Sequence, residues 1–579
     1  MLNLEQFSPL PSVGTVFFMR DRSQPLLNWV RQSFKLLGWI LIPVALLTRP
    51  AISAERLYVS YGVLERSISV AALEAYARTG DLDSDLSVYA QYADAKQLAD
   101  LRQALVVRAD VTSIAVSQFL YTPQGEILLR RLGQVIQPES RDTGFYAIRA
   151  ALILASSDPK GLTPLNVFRK FPTRGLRIDL QRSLQIAGEL EKVITRTNQA
   201  TATLDQLAQL EALAAPIATT APLPDLASRG AFGWQKETIR LVDRRRSFVT
   251  VLGRERVFPV DVYLPQLRTG RQGQAPKTPV VVISHGLGSD RATFRYLAEH
   301  LASHGFAVAV PEHPGSNAAQ LQALIAGTVS EVATPSEFVD RPLDIKYLLD
   351  DLTRRAQTDP RYSRLNLEQV GVLGQSFGGY TVLALAGAPI NFEQLQKDCG
   401  PQALDNTLNL SLLLQCRATA LLPINYGLQD SRVKAIFAIN PVDSAVLGES
   451  GFNQISIPTM IVSGNADTVA PALQEQVQPF TWLRSRDRYL ALLDRGTHFS
   501  TLEEPTTDDA IPLPPEVVGP TPGVARRYIS ALGLAFFQTH IANQPSYRPY
   551  LSASYAHFIS QGSLRLSLVR SLSADQLTK

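Results

Sequence analysis

The sequence predicts an α/β fold with a mainly parallel sheet over residues 230–579, and three observations support it. Residues 280–283 (Val-Val-Val-Ile) form a continuous β-branched run, as expected of a strand buried on both faces. Helical patterns separate this run from the later apolar runs, and strands that alternate with helices form parallel sheets. Residues 238–242 and 257–263 have the pattern of antiparallel strands at one edge. The later apolar runs are residues 307–310, 370–373, 435–439, 459–462 and 489–493.

The composition is that of a globular protein. Of the 579 residues, 45% are apolar and 19% are charged, so the chain can bury a sizeable core. The length favours two structured domains over one. The net charge of +4 is small and the basic residues are scattered, so we expect no nucleic-acid partner.

The N-terminus has the layout of a secretory signal peptide. Residues 36–47 (LLGWILIPVALL) form an apolar run that follows basic residues and precedes a small-residue segment ending at Ala54. The run is shorter than the roughly 20 residues of a membrane span. We expect residues 1–54 to be a signal peptide, or alternatively an uncleaved anchor, and the protein to be periplasmic or secreted. A leader that begins at Met1 is long, so Met19 is the alternative start.

Residues 55–213 have helical periodicity throughout, which predicts an all-helical domain. Thr122 and Thr163 each precede a proline, as a capping residue does at a helix N-terminus. The region contains no motif with a chemical mechanism, so we expect a structural or substrate-shielding role. A segment rich in Pro, Ala and Thr follows and predicts a linker over residues 214–229.

One pentapeptide has the setting of a nucleophilic serine. Residues 374–378 (Gly-Gln-Ser-Phe-Gly) follow the strand-like residues 370–373 directly and precede a helical segment. A strand, a sharp turn and a helix around G-x-S-x-G form the nucleophile elbow of the α/β-hydrolase fold. The helix N-terminus also favours developing negative charge. The sequence therefore predicts this fold, with Ser376 as the nucleophile.

A serine nucleophile needs a base, and the base needs an acid to orient it. This fold supplies them in the order Ser, acid, His. His498 follows the last predicted strand and a turn, so we predict that it is the base. Asp467 follows the preceding strand and is the predicted acid. Asp443, after the strand before that, is the alternative acid.

Acyl transfer also needs donors for the oxyanion. We expect one from the backbone N–H of Phe377, next to the nucleophile, and the other from Leu287 in the glycine-containing loop of residues 284–288. The Cys and His spacings do not cluster as metal ligands, so we expect no metal and no cofactor.

A Leu-rich insertion at about residues 387–428 follows the predicted nucleophile helix, where a lid would emerge. It contains Cys399 and Cys416, the two cysteines of the chain. An even pair in an exported protein is a candidate disulfide. Two buried thiols are the alternative if the leader is absent.

Residues 279–313 and 374–382 resemble the plasma-type platelet-activating-factor acetylhydrolases. The resemblance covers about residues 235–500. It implies a calcium-independent serine lipase or esterase that acts on phospholipids with short or oxidised acyl chains. The residues that it assigns to the site are Ser376, His498, Leu287 and Phe377.

The chain departs from this family in two places. Gln375 stands where the animal enzymes carry His. Their acid follows the earlier strand, at a position nearer Asn440 or Asp443. By contrast, residues 457–471 are similar to bacterial cutinases and polyester hydrolases, which place the acid at the position of Asp467.

Residues 54–62, with the helices after them, resemble an uncharacterised domain that precedes hydrolase domains in cyanobacterial exported proteins. Taken together, the patterns predict a serine carboxylic ester hydrolase that acts on lipid or phospholipid esters. A cutinase-like polyester or short-chain esterase is the alternative, and a catalytically inactive binding protein on the same fold is a further one. The expected partners are an ester or lipid substrate and, peripherally, a membrane surface.

Overall fold

The structure is a computed structural model that describes residues 53–109, 111–217, 223–248, 255–267, 277–503 and 515–577. The chain divides into residues 1–52 and residues 53–579, and every described residue belongs to the second unit. The predicted leader and the alternative start at Met19 lie outside the described residues, apart from positions 53 and 54. Within the described ranges, no helix is both long and apolar enough to cross a bilayer.

The N-terminal domain is not all-helical, contrary to the sequence-based expectation. It contains a four-stranded sheet of order β2-β1-β4-β3. Strand β1 pairs in parallel with β4, so that Leu57 lies opposite Leu176. Strands of three to six residues carry little alternating pattern, and this pairing joins segments far apart in the chain, so local periodicity misses them. The strands are β1 (Arg56–Tyr61), β2 (Leu64–Ser69), β3 (Ile136–Pro138) and β4 (Gly175–Asp179).

The helices of this small domain begin where the sequence predicts caps. The Thr122 hydroxyl accepts the N–H of Gly125 at 3.0 Å, and the Thr163 hydroxyl accepts the N–H of Asn166 at 3.1 Å, which confirms both N-caps. A separate apolar core holds the domain together. The helices are Val70–Thr79, Ser84–Ala90, Ala95–Val106, Ser113–Leu120, Pro123–Val135, Phe145–Ser156, Pro164–Arg169 and Leu180–Ala214.

The rest of the described chain is built on a nine-stranded sheet of order β13-β12-β11-β10-β9-β7-β8-β6-β5. The six strands from β7 to β12 pair in parallel, and β5, β6 and β13 are antiparallel at the edges. The predicted mainly parallel sheet is confirmed. The strands are β5 (Trp234–Asp243), β6 (Arg256–Pro265), β7 (Thr278–Ser284), β8 (Ala307–Pro311), β9 (Leu365–Gln375), β10 (Val433–Ile439), β11 (Thr459–Gly464), β12 (Arg488–Leu493) and β13 (Leu566–Val569).

Helices cover both faces of this sheet, which explains its continuous apolar runs. In β7, Val280 and Val282 join one core while Val281 and Ile283 join the other, because successive side chains point to opposite faces. The α-helices of this part are Arg295–Ser303, Ala318–Ile325, Glu337–Thr358, Phe377–Leu385, Phe392–Asp398, Pro401–Asn406, Leu412–Gln415, Ser444–Phe452, Gln478–Trp482, Pro515–Val518, Pro522–His540 and Ala553–Ile559. Shorter turns of 3₁₀ or π-helix are Arg244–Phe248, Cys416–Ala420, Leu473–Val477, Pro545–Tyr550 and Ala574–Leu577.

The long helix Leu180–Ala214 joins the two parts and ends where the predicted linker begins. Its C-terminal half packs against β13 and helix Ala553–Ile559. Leu204 and Ala208 from this half are buried in the core of the larger part. The helix therefore attaches the small domain to the sheet through apolar contacts.

The insertion at residues 387–428 folds into short helices and contacts the small domain. Arg130 Nε lies 3.3 Å from Asp405 Oδ1, and Gln124 Nε2 donates to the Leu413 carbonyl at 3.4 Å. The structure joins Cys399 and Cys416 in a disulfide, with 5.4 Å between their Cα atoms. The cross-link holds the first helix of the insertion to its last turn.

Reduction of this disulfide is expected to loosen the insertion. Cys399 and Cys416 are separated by 17 positions, and closing a loop of that size removes about 3 kcal/mol of unfolded-state entropy. We expect the double variant Cys399→Ser/Cys416→Ser to lose that amount of stability, with faster hydrogen exchange across the insertion. Denaturation midpoints with and without reductant measure it. A reductant-insensitive midpoint in the wild type, or a variant as stable as the wild type, contradicts the expectation.

Candidate active site

Ser376 lies at a sharp turn between β9 and helix Phe377–Leu385. Its backbone has φ 55° and ψ −117°, a strained conformation for a residue with a side chain. The flanking glycines are required by close packing: a Cβ on Gly374 would collide with the carbonyl of Gly378, and one on Gly378 with the carbonyl of Ser284. The turn therefore presents the Ser376 hydroxyl at the N-terminus of the helix, at the carboxyl end of the central strand.

His498 and Asp467 meet this hydroxyl in one hydrogen-bonded chain. His498 Nε2 lies 2.8 Å from Ser376 Oγ, and His498 Nδ1 lies 2.6 Å from Asp467 Oδ2. The other oxygen of Asp467 accepts the N–H groups of Val469 and Ala470 at 2.8 and 2.7 Å, which orients the carboxylate. A carboxylate only accepts, so Nδ1 carries the ring proton and Nε2 is free to take a proton from the serine.

Two amide side chains hold the loops that carry the acid and the base. Asn440 follows β10 with φ 40°, and its Nδ2 donates to the Thr497 carbonyl at 3.2 Å while its Oδ1 accepts the Gly464 N–H at 3.0 Å. Gln375 Nε2 donates to the His498 carbonyl at 3.1 Å. Neither Asn440 nor Gln375 was predicted to have this role. The sequence signal for Asn440 is an asparagine directly after a buried strand, because asparagine tolerates the left-handed backbone that a sharp turn requires.

Asp443, the alternative acid, does not reach the histidine. It is fully buried, and among the described residues neither of its carboxyl oxygens has a hydrogen-bond partner. Its backbone N–H donates to Glu475 at 2.9 Å. Burial, together with the nearby Glu475, raises the pKa of Asp443 well above its usual range. Asp443 lies at the start of helix Ser444–Phe452, and the structure pairs His498 with Asp467 instead.

This buried carboxyl should make stability fall as pH rises. The pKa of Asp443 is raised in the folded state, so the folded protein retains a proton that the unfolded chain releases above about pH 4. We expect Asp443→Asn to increase stability relative to the wild type, and to increase it more at pH 8 than at pH 4.5. Denaturation midpoints of both proteins at the two pH values test this, and an equal difference at both would refute it.

The two expected oxyanion donors are the backbone N–H groups of Phe377 and Leu287, close to the turn at Ser376. Phe377 begins the helix, and its N–H points from the helix N-terminus. Leu287 lies in a turn after β7, beside Gly286, where a Cβ would collide with the side chain of Gln375. Neither the Leu287 nor the Phe377 N–H takes part in the loop and turn hydrogen bonds of the described residues. Both are therefore available to a negatively charged oxygen.

A second Ser–His–Asp chain lies behind the oxyanion loop and is fully buried. Ser284 Oγ lies 2.9 Å from His313 Nε2, and His313 Nδ1 lies 2.9 Å from Asp344 Oδ2. Burial and the charge of Arg341 lower the pKa of His313 to about 3, so the ring is neutral. Although burial opposes it, Arg256 keeps the pKa of Asp344 below its usual range. All three members are closed to solvent, so this chain is structural.

Arg341 connects the two oxyanion segments. Its guanidinium donates to the His285 carbonyl and stacks 4.5 Å from the ring centroid of Phe377. Burial lowers the pKa of Arg341 to about 9. Arg341 was not predicted as a site residue, although four charged positions at helical spacing lie on one face of helix Glu337–Thr358. These buried residues are Glu337, Asp340, Arg341 and Asp344.

The small domain and the insertion are each linked to one side of the site. Leu321, in helix Ala318–Ile325, lies against Gly288 of the oxyanion loop, and the same helix packs on helix Ser113–Leu120 of the small domain. On the acid side, Ser411 of the insertion donates its N–H to the Val469 carbonyl at 2.8 Å. No hydrogen bond among the described residues joins the insertion to the serine or the histidine, and its role as a lid stays a prediction.

The residues described contain no group of three His, Cys, Asp or Glu side chains able to hold a metal ion. What the site does contain is a serine at an elbow, a histidine after β12 and a carboxylate after β11, on a mainly parallel sheet flanked by helices. This arrangement is the α/β-hydrolase fold.

Two family models match the chain. Residues 253–339 match the model of the platelet-activating factor acetylhydrolase, isoform II, and they include β7, the Leu287 loop and His313. Residues 53–179 match the model of an alpha/beta hydrolase of unknown function (DUF1400), and they fall on the small domain. No curated protein matches. The chain is thus a hydrolase of the α/β class, and the predicted resemblance to platelet-activating-factor acetylhydrolases is confirmed. The likeness to cutinases stays a prediction.

Proposed function

We propose that the protein is a serine carboxylic ester hydrolase that works through an acyl-enzyme. The observation that carries the proposal is the chain from Ser376 Oγ to His498 Nε2 at 2.8 Å and from His498 Nδ1 to Asp467 at 2.6 Å. Serine is a weak nucleophile at neutral pH and becomes reactive when a positioned base removes its proton. These contacts provide that base in its working tautomer.

In the first half-reaction, Ser376 Oγ attacks the ester carbonyl carbon while His498 Nε2 takes the hydroxyl proton. The carbonyl oxygen becomes an oxyanion between the N–H groups of Leu287 and Phe377. Collapse of this intermediate breaks the bond to the alcohol oxygen, which receives the proton from His498. In the second half-reaction a water, deprotonated by His498, attacks the acyl-enzyme, and the carboxylic acid and Ser376 are released.

We propose a lipid or phospholipid ester as the substrate. The match of residues 253–339 to platelet-activating factor acetylhydrolase, isoform II, supports it, because this segment supplies the oxyanion loop. Leu287 packs against the core beside the oxyanion loop and Leu321 lies against Gly288 of that loop, and we propose that apolar side chains on this side contact the acyl chain. Peripheral contact with a membrane surface, where such substrates reside, belongs to the proposal.

We also propose that the protein is exported to the periplasm or secreted. The disulfide between Cys399 and Cys416 supports this location, because disulfides persist in oxidising compartments and are rare in the cytosol.

Labelling with a fluorophosphonate tests the mechanism. We expect the probe to modify native protein at Ser376, as mapped by peptide mass, and heat-unfolded protein to remain unlabelled. A probe attached elsewhere in an active protein contradicts the proposal. Absence of both labelling and ester hydrolysis supports the alternative of an inactive binding protein.

Substrate profiling tests the lipid assignment. Nitrophenyl esters of increasing acyl length, a short-chain phosphatidylcholine and a polyester film are compared at equal enzyme concentration. Efficient cleavage of the phosphatidylcholine supports the lipid proposal. Efficient cleavage of the film without phospholipid cleavage supports the cutinase-like alternative, which the position of Asp467 after β11 favours.

A further inference from the structure

The peptide between Gly286 and Leu287 carries both a fixed acceptor and a candidate catalytic donor. The Gly286 carbonyl accepts a hydrogen bond from His285 Nδ1 at 2.8 Å. In a trans peptide the C=O and the following N–H point in opposite directions. A bond that fixes the Gly286 carbonyl therefore also fixes the direction of the Leu287 N–H.

The backbone decides which ring nitrogen of His285 carries the proton. The His313 N–H donates to His285 Nε2 at 3.0 Å. A backbone N–H can only donate, so Nε2 is the bare nitrogen and the proton sits on Nδ1. The Nδ1–H then donates to the Gly286 carbonyl. Burial, together with the charge of Arg341, lowers the pKa of His285 to about 3, so the ring keeps this single proton at neutral pH.

The residues around His285 are themselves held in place. Ser284 and Asp344 bind the two ring nitrogens of His313 at 2.9 Å each, so the backbone beside that ring has a defined position. Arg341 donates to the carbonyl of His285. The two carbonyls that precede Leu287 thus both have protein donors before any substrate arrives, as preorganised catalytic dipoles do.

The loop lies close enough to the nucleophile for this orientation to matter. A Cβ placed on Gly286 would lie 3.5 Å from the carbonyl oxygen of Gln375, the residue before Ser376. One placed on Gly378, two residues after the nucleophile, would lie 2.9 Å from the carbonyl of His285. The Gly286–Leu287 peptide is therefore packed directly against the elbow.

We propose that His285 is a positioning residue for the oxyanion site: its Nδ1–H holds the Gly286 carbonyl and so aims the Leu287 N–H at the space beside Ser376 Oγ. This proposal rests on the proposed ester hydrolysis. Without the bond the peptide can rotate, and the oxyanion loses one donor in the transition state. Loss of a single oxyanion donor lowers kcat by about 10²- to 10³-fold. The ground-state complex is little affected, so KM should stay close to its wild-type value.

Two substitutions at His285 separate its two hydrogen bonds. In His285→Asn, the amide nitrogen stands near the position of Nδ1 and can still donate to the Gly286 carbonyl. In His285→Gln, the longer amide reaches toward the Nε2 position, where it can accept the His313 N–H but cannot replace the Nδ1 donor. Both variants place a neutral amide in the same cavity, so each controls for the disturbance caused by the other.

Steady-state kinetics on nitrophenyl acetate and thermal midpoints provide the readout. We expect His285→Gln to lower kcat by about 10²-fold with KM changed less than about threefold. His285→Asn should keep kcat within about fivefold of the wild type, although both variants lose stability. Equal losses of kcat in the two variants, or a wild-type kcat in His285→Gln, overturns the proposal. If His285→Gln does not fold, a folded His285→Asn that loses more than about tenfold in kcat also overturns it.

Ser376→Ala, assayed with the same ester, separates this proposal from the proposed function. Full activity in Ser376→Ala refutes serine ester hydrolysis itself. Loss of activity in Ser376→Ala, together with unchanged kinetics in His285→Gln, refutes only the positioning role of His285.

Discussion

Replacement of Ser376 by alanine is expected to lower kcat for ester hydrolysis by about 10⁶-fold. The hydroxyl bonded to His498 is the atom that would form the acyl-enzyme, and alanine leaves the base without a nucleophile to activate. The oxyanion donors remain, so hydrolysis should still be about 10³-fold faster than the uncatalysed reaction in water. Fold and stability should be close to those of the wild type, because the change removes one oxygen at a site already strained in φ.

The matched control is Ser284→Ala. This serine also bonds a histidine that bonds an aspartate, but it is fully buried at the end of β7. We expect kcat to fall by less than about tenfold, through small shifts of the oxyanion loop and not through loss of a nucleophile. Initial rates on a nitrophenyl ester at equal protein concentration measure both variants, and fluorophosphonate titration counts the active sites of Ser284→Ala and the wild type. The reverse pattern, in which Ser284→Ala is inactive and Ser376→Ala is active, would assign the chemistry to the buried chain.

Asp467→Asn is expected to lower kcat by about 10⁴-fold. The carboxylate at 2.6 Å keeps the proton of His498 on Nδ1 and stabilises the imidazolium that forms when the serine is deprotonated. An asparagine amide of the same shape can donate to Nδ1, which places the ring proton on Nε2, where it blocks the base. KM should change little, because the defect lies in the transition state.

Asp443→Asn provides the comparison for this variant. Asp443 is the alternative acid predicted from the sequence, and its side-chain oxygens contact no donor among the described residues. Its substitution should leave kcat within about threefold of the wild type, although it changes the pH dependence of stability. If Asp443→Asn proves as inactive as Asp467→Asn, the acid has been assigned to the wrong strand end.

The elbow and the strands could be predicted because their signals are local. Gly374 and Gly378 flank a serine between a buried strand and a helix, and each part of that pattern lies within about 20 residues. Asp467 and His498 were expected from their order after successive strands, a property of the fold more than of their neighbours. The structure places His498 against Ser376 and Asp467 against His498. The sequence alone could not decide between Asp467 and Asp443, because only the three-dimensional contacts distinguish them.

The polar residues that support the site could not be predicted from local patterns, because their hydrogen-bond partners are distant in sequence. Arg341 bonds a carbonyl 56 positions earlier, and the parallel pairing of β1 with β4 likewise joins remote segments. Arg341 is also buried, although charged residues usually lie at the surface. Its residue type alone therefore argues against a buried position. Charged residues at helical spacing within an otherwise apolar helix face are the sequence pattern that indicates buried polar contacts.

The contacts of the small domain bear on access to the candidate active site. Helix Ser113–Leu120 supports the oxyanion side through helix Ala318–Ile325, while Arg130 holds the insertion, which continues to the acid loop at Val469. The oxyanion loop and the acid loop are thus both linked to the small domain. Because both loops are linked to the same domain, we expect a substitution that weakens these contacts to affect both sides of the active site.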